Sequence, residues 1–164
     1  MWLRLYKIRS DLNLQTTYSS RATAMVVQIS IQRIEVPPGQ RVLLLEADNC
    51  FYFQNEARVR GRLDINLTQD PPPDLALEID VTSKSLERFP IYARLGIPEL
   101  WCYDAGTLTI YHLQSGHYDE VERSTIFPKL NIRALPQLIE DNRSAGRLTL
   151  RRSVRAWVRR QVEA

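Results

Sequence analysis

Two acidic residues stand at alternate positions of an apolar segment. Residues 75–81 read Leu-Ala-Leu-Glu-Ile-Asp-Val, so Glu78 and Asp80 are two residues apart. Because successive side chains of a β-strand point to opposite faces, this spacing places both carboxylates on one face. Buried carboxylates are costly unless something compensates their charge, and a divalent cation does so directly. The pattern is compatible with a Mg²⁺ site, which would suit hydrolysis of a phosphodiester bond.

Three further residues could complete such a site. Asp48 ends another short strand-like segment, and its carboxylate would join Glu78 if the two strands pair. Lys84 or Arg88, which follow in the sequence, could stabilise the charge on a pentacoordinate phosphorus. The alternative is structural: Asp80 caps the strand end, and Glu78 pairs with an arginine at the surface. A single Glu-x-Asp spacing is weak evidence, so both interpretations stay open.

The elements that must position these residues form a mixed α/β pattern. Periodicity predicts a β-like run over 25–34 and strands over 41–45, 50–53, 75–81, 99–104, 107–113 and 118–121. A helix is expected over 85–95, or from a start near Pro90, and Gly96 would end it. Two more helices are expected over 135–142 and 148–162. The polar segment 54–66 is predicted as a loop. A strand, a helix and a second strand around residue 90 indicate a βαβ unit in a small sheet.

Composition limits the function classes. The chain has 164 residues, 44% hydrophobic and 25% charged, which excludes a fibrous or wholly disordered protein. We expect no membrane span and, with only two cysteines, a reduced cytoplasmic protein. The cysteines and histidines lack zinc-ligand spacing.

Arginine is concentrated in two places. Residues 143–164 hold seven arginines and one acid, and Arg58, Arg60 and Arg62 lie in the predicted loop. Such basic segments suggest contact with phosphate, although a solvated helix face gives the same pattern.

The sequence predicts a division of the chain into three segments. Residues 1–24 lack a regular period and form either an unfolded upstream extension, with Met25 as the natural start, or an ordinary N-terminal arm. Residues 25–134 would form the core with the candidate site. Residues 135–164 would form C-terminal basic helices.

Three blocks of the sequence together resemble one known family. They are residues 46–52 (EADNCFY), 73–83 (PDLALEIDVTS) and 92–101 (YARLGIPELW). In this order they are similar to the Uma-two family of restriction endonucleases, common in cyanobacteria, which belongs to the PD-(D/E)xK nuclease superfamily. The resemblance covers roughly residues 34–158.

The resemblance implies a restriction-endonuclease-like α/β fold with a mixed sheet and flanking helices. It implies a Mg²⁺- or Mn²⁺-dependent DNA endonuclease in which Asp48 and Glu78 hold the metal. Asp80 occupies the position of the superfamily lysine and would orient the metal or a water, and Arg88, or else Lys84, would replace that lysine at the scissile phosphate. DNA is the implied partner, a homodimer is plausible because DNA has two strands, and no membrane contact is implied.

Two departures from the family pattern favour a second interpretation. Ala47 stands where the family has proline, and relatives carry a longer segment between the strand at 41–45 and Asp48. The chain would then be an internally deleted copy, incomplete at its N-terminal side and with an N-terminal extension. The alternative function is a catalytically impaired remnant that binds DNA or another protein.

Overall fold

A six-stranded mixed sheet forms the centre of the protein, seen in a computed structural model. The structure describes residues 25–27, 30–31, 45–46, 49–60, 65, 67, 69–79 and 88–163. The strands of this sheet lie in the order β1 (Met25–Val27), β4 (Asn49–Tyr52), β5 (Leu75–Ile79), β6 (Glu99–Asp104), β7 (Thr107–Gln114) and β8 (His117–Val121). A separate two-stranded ladder joins β2 (Ser30–Ile31) and β3 (Leu45–Glu46).

The pairing around β5 brings the candidate segments together. Strands β4 and β5 pair antiparallel, with Asn49 opposite Leu77, and β5 and β6 pair parallel, with Glu78 opposite Cys102. The helix α2 (Phe89–Leu95) lies in the connection from β5 to β6, as the βαβ pattern predicts. The other neighbouring pairs in the sheet are antiparallel. The expectation of a mixed α/β sheet with flanking helices is confirmed.

Each face of the sheet is covered by a different layer. Ala76 of β5 and Leu100 of β6 pack with Tyr92 of α2, and this side is called the α2 face. Leu75 and Trp101, the neighbours of those strand residues, belong to a second cluster on the opposite side. The period-two alternation of each strand therefore supplies two separate hydrophobic layers.

Two C-terminal helices cover the second side. They are α3 (Leu135–Asp141), preceded by a 3₁₀ turn at Ile132–Ala134, and α4 (Arg147–Glu163). The apolar face of α4 buries Val154, Trp157 and Val158 in the cluster that contains Trp101, so this side is called the α4 face. Within the described residues, no helix is long and apolar enough to cross a bilayer.

The turns follow from residues that tolerate a left-handed backbone. The β6–β7 hairpin turns at Ala105 and Gly106, both with positive φ, as a two-residue type I′ turn requires. Gly96 ends α2 in the same left-handed region at φ 74°, and Pro90 lies in the first turn of that helix. The predicted positions of this hairpin and of the start and end of α2 are confirmed.

One local prediction is wrong, and others lie outside the described residues. The polar segment predicted as a loop contains a short helix, α1 (Glu56–Val59), because Glu56 and Arg60 pair four residues apart and Val59 is buried. Residues 1–24 and most of the strand predicted at 41–45 lie outside the described residues, and the division into three segments stays a prediction.

Candidate active site

Glu78 is a buried carboxylate on the α2 face of the central strand. It alternates with Leu77 and follows Ala76 by two residues, so its side chain enters the α2 layer. Only 1% of the residue is exposed to solvent. A charged side chain at this depth must be compensated by hydrogen bonds or by opposite charge.

Two residues, one just before the helix α2 and one within it, contact the carboxylate of Glu78. Arg88 immediately precedes α2, and Tyr92 lies four residues later, so both side chains occupy one side of the helix. The Tyr92 hydroxyl donates a hydrogen bond to Glu78 Oε1, and Arg88 Nη1 donates to Oε2 at 3.2 Å. Tyr92 is fully buried, whereas the Arg88 side chain is 41% exposed. The carboxylate is thus held from inside by a phenol and approached from the solvent side by a guanidinium.

The negative charge of Glu78 affects the groups around it. Burial, and then the Glu78 charge and hydrogen bond, raise the pKa of Tyr92 far above its usual value, so the phenol keeps the proton that it donates. Burial raises the pKa values of Cys50 and Cys102 to about 12, and Glu78 adds to both shifts. Both thiols are free and buried, and they lie on the strands that flank Glu78.

A second buried carboxylate, Asp74, has a structural role. Its Oδ2 accepts hydrogen bonds from the backbone N–H groups of Phe53 and Gln54 at 2.6 and 2.9 Å, and Asn55 Nδ2 donates to Oδ1 at 3.2 Å. These donors belong to the turn that leaves β4. Asp74 therefore fixes the connection after β4, and its oxygens serve the fold.

A third buried carboxylate, Glu99, lies on the α4 face. Trp101 Nε1 and Ser124 Oγ donate to its Oε1, each at 2.6 Å, while the Thr125 N–H and hydroxyl donate to Oε2 at 2.8 and 2.7 Å. His112 Nε2 lies 3.2 Å from the same Oε2, outside hydrogen-bonding orientation. Glu99 thus anchors the chain after β8, on the side of the sheet away from Glu78.

The structure brings together two of the candidate site residues, Glu78 and Arg88. Asp48, Asp80 and Lys84 lie outside the described residues, so their roles stay predictions. The structural alternative for Glu78 was right about an arginine partner and wrong about a surface position, because Glu78 is buried.

Not all of the arginines at 58, 60 and 62, which follow β4, are available to bind phosphate. Arg60 forms a bidentate pair with the buried Glu56, and this pairing lowers the pKa of that carboxyl. Arg58 is exposed, and Arg62 lies outside the described residues. The prediction that all three arginines contact phosphate is weakened for Arg60, because its guanidinium already pairs with Glu56.

Sequence reasoning did not assign Tyr92 to the site. Tyr92 is a buried residue of α2, and its hydroxyl also contacts Glu78. Its spacing of four from Arg88, together with the need to satisfy a buried phenol, is the signal that could have found it.

The donor set partly fits a divalent cation. Hard cations such as Mg²⁺ prefer carboxylate oxygens, and Glu78 supplies one carboxylate on a rigid central strand. Among the described residues, no group of three or more His, Cys, Asp and Glu side chains could hold a metal. Asp48 and Asp80, which lie outside the described residues, are the sequence-predicted candidates for further ligands.

Comparison with known proteins identifies the family of this chain. The sequence model of the Uma2 (Uma-two) family, described as "Putative restriction endonuclease", matches residues 14–150, which include every strand of the sheet and the contacts of Glu78. A search of curated proteins gives no significant match. Since the matched region covers most of the chain, the chain belongs to the Uma2 family.

Proposed function

We propose that the protein is an endonuclease that hydrolyses DNA phosphodiester bonds with the help of Mg²⁺ or Mn²⁺. Membership of the Uma2 family supports nuclease chemistry in general. The observation that carries the proposal is the Glu78 carboxylate, buried on a central strand and accompanied by a half-exposed arginine. Purely structural carboxylates elsewhere in this chain, such as Asp74, are instead surrounded by backbone donors.

Asp48 is the proposed second metal ligand. It directly precedes Asn49 in the sequence, and Glu78 directly follows Leu77, the residue opposite Asn49 in the β4–β5 ladder. A ladder continued by one residue would pair the two carboxylates, and directly opposite Cβ atoms lie about 4.5–5.5 Å apart. Two carboxylates at that separation can share one hard cation. Asp80, two positions beyond Glu78, would orient the metal or a water from the same face.

The charges near Glu78 support a role for a divalent cation in attracting phosphate. Glu78 and Arg88 form a pair with no net charge, so by themselves they give a phosphate little electrostatic attraction. At their proposed positions, Asp48 and Asp80 would make the balance more negative. A bound divalent cation would offset this negative charge, lower the pKa of water and neutralise charge that develops on the phosphate.

The protein's own residues have distinct roles in this proposal. Glu78 and Asp48 would hold the cation, and Arg88, with Lys84 as the alternative, would contact the scissile phosphate. A guanidinium has N–H donors and no acceptor, so Arg88 would supply charge and hydrogen bonds but remove no proton. Tyr92 would fix the orientation of Glu78 through its hydroxyl. A homodimer that cuts both DNA strands, and a cytoplasmic location, stay predictions.

Plasmid nicking tests this proposal. Supercoiled plasmid should be converted to the open circular form in Mg²⁺ or Mn²⁺, and EDTA or the Glu78→Gln substitution should abolish the conversion. Glutamine keeps the shape of glutamate and an oxygen that accepts from Tyr92, so the fold should survive, as circular dichroism can verify. Glu120→Gln is the matched control, since Glu120 is an exposed carboxylate paired with Arg133. Undiminished nicking by a folded Glu78→Gln variant would refute the assignment of this site.

A further inference from the structure

The outer side of α4 carries a row of arginines without ion-pair partners among the described residues. Arg152, Arg155 and Arg159 are exposed, and none of the three pairs with an acidic side chain there. At 100° per residue these three positions fall within about 60° of one another around the helix. They are called the α4 arginine row. The opposite side of α4 buries Val154 and Trp157 in the core.

The arginine row costs the helix stability unless an anion is present. Arg155 lies three residues after Arg152 and four before Arg159, and like charges at these spacings repel by a few tenths of a kcal/mol. The only acid in α4 is Glu163 at its last position. A bound polyanion would relieve this repulsion.

The arginine row matches the spacing of phosphates in a DNA duplex. From Arg152 to Arg159 the helix rises about 10 Å. One DNA strand carries a phosphate about every 3.4 Å along the duplex axis, so this length corresponds to about three phosphates. Arginine is also the side chain best suited to bidentate phosphate contacts.

The location of the row separates it from the candidate active site. The helix α4 packs on Trp101 and Leu75, on one face of the sheet, whereas Glu78 and its partner Tyr92 lie on the opposite face. DNA lying along α4 is therefore separated from the candidate active site by the sheet.

We propose that the α4 arginine row is a second, sequence-independent binding surface for duplex DNA, distinct from the Glu78 site. It holds a DNA segment other than the one at Glu78. This inference does not require the proposed nuclease activity. A lipid membrane is the less favoured occupant, because the apolar side of α4 is buried and Leu148, 70% exposed, is the single large hydrophobic residue exposed in the described residues.

Fluorescence anisotropy with a labelled duplex in EDTA tests this proposal. Replacing all three arginines of the row by glutamine should reduce the salt dependence of log K by about 2.7, since each phosphate contact contributes about 0.9. At 0.1 M salt this corresponds to an affinity loss of up to about 500-fold. The matched control replaces Arg94, Arg123 and Lys129, three exposed cations on other elements, and should change affinity far less.

Three outcomes would overturn the proposal. Equal losses in the arginine-row variant and the control would show that only net charge matters. A loss of binding in Arg88→Gln as large as that in the arginine-row variant would assign the DNA to the candidate active site. The third outcome is tighter binding to polyglutamate or to phosphatidylserine vesicles than to the duplex, with that binding lost in the arginine-row variant. It would identify an acidic protein or a membrane, respectively, as the partner. A loss of DNA binding confined to the arginine-row variant supports the proposal even if no nicking is found.

Discussion

Removal of the Tyr92 hydroxyl should destabilise the protein by more than the loss of an ordinary tyrosine hydrogen bond. In Tyr92→Phe the ring still fills its buried position, so the change is confined to the bond donated to Glu78. Net hydrogen bonds to charged groups contribute about 1.5–3 kcal/mol, and the carboxylate left behind is only 1% exposed. We therefore expect a loss of about 2–3 kcal/mol in the free energy of unfolding, measured by urea titration.

Tyr118→Phe is the matched control for this measurement. The Tyr118 hydroxyl donates to the backbone carbonyl of Ile97 at 2.6 Å, a neutral acceptor on the same face of the sheet. Its loss should cost about 1 kcal/mol. In a Glu78→Gln background the cost of Tyr92→Phe should fall by at least about 1 kcal/mol, because the acceptor is then neutral. The reasoning would be refuted if Tyr92→Phe lowers the free energy of unfolding no more than Tyr118→Phe does, and by the same amount in the Glu78→Gln background.

Two further predictions concern buried groups outside the proposed chemistry. Asp74→Asn removes charge from the acceptor of three backbone N–H groups and should cost about 1–3 kcal/mol in unfolding free energy, with DNA binding unchanged. A loss of DNA binding by the folded variant would contradict the structural role. Cys50 and Cys102, with pKa values of about 12, should resist iodoacetamide at pH 8 in the native state and react once unfolded; rapid native labelling would contradict their burial. The usual pKa of these thiols is 9.0, so the stability that their burial contributes is complete below pH 9 and is lost as pH rises towards 12. Each thiol should lower the free energy of unfolding by roughly 1 kcal/mol per pH unit in this range. Urea titrations at several pH values that show no such fall would contradict the raised pKa values.

The strands were largely predictable because each alternates with a period of two. The order β5, α2, β6 and the hairpin at Ala105 and Gly106 followed from apolar periodicity and turn chemistry. The segment before Ile65 was harder, since the short helix α1 depends on the local Glu56–Arg60 pair and the burial of Val59, signals that its polar composition hides.

The candidate site was predictable where a residue's position followed from its own strand. Glu78 stands out as a carboxylate in an apolar strand, and Arg88 as the cation near the start of the next helix. The hydroxyl of Tyr92 was missed because a tyrosine on an amphipathic helix is adequately explained by packing.

The roles of the other buried carboxylates depend on contacts distant in sequence. Asp74 meets donors about twenty residues earlier in the chain, and Glu99 meets Ser124 twenty-five residues later. Such contacts exist only once the sheet has assembled, so spacing within a strand cannot reveal them. The same limit explains why the arginines of α4 and Glu78 could not be assigned to opposite faces from the sequence.

Direct measurement of Mn²⁺ binding tests the shared metal site most sharply. Electron paramagnetic resonance reports free Mn²⁺, and it can be applied to the native protein, Asp48→Asn and Glu78→Gln at equal concentration. The proposed site predicts one bound ion in the native protein and affinity at least tenfold weaker, about 1.4 kcal/mol, in each variant. Native-like Mn²⁺ binding in both folded variants would show that these carboxylates do not hold the metal.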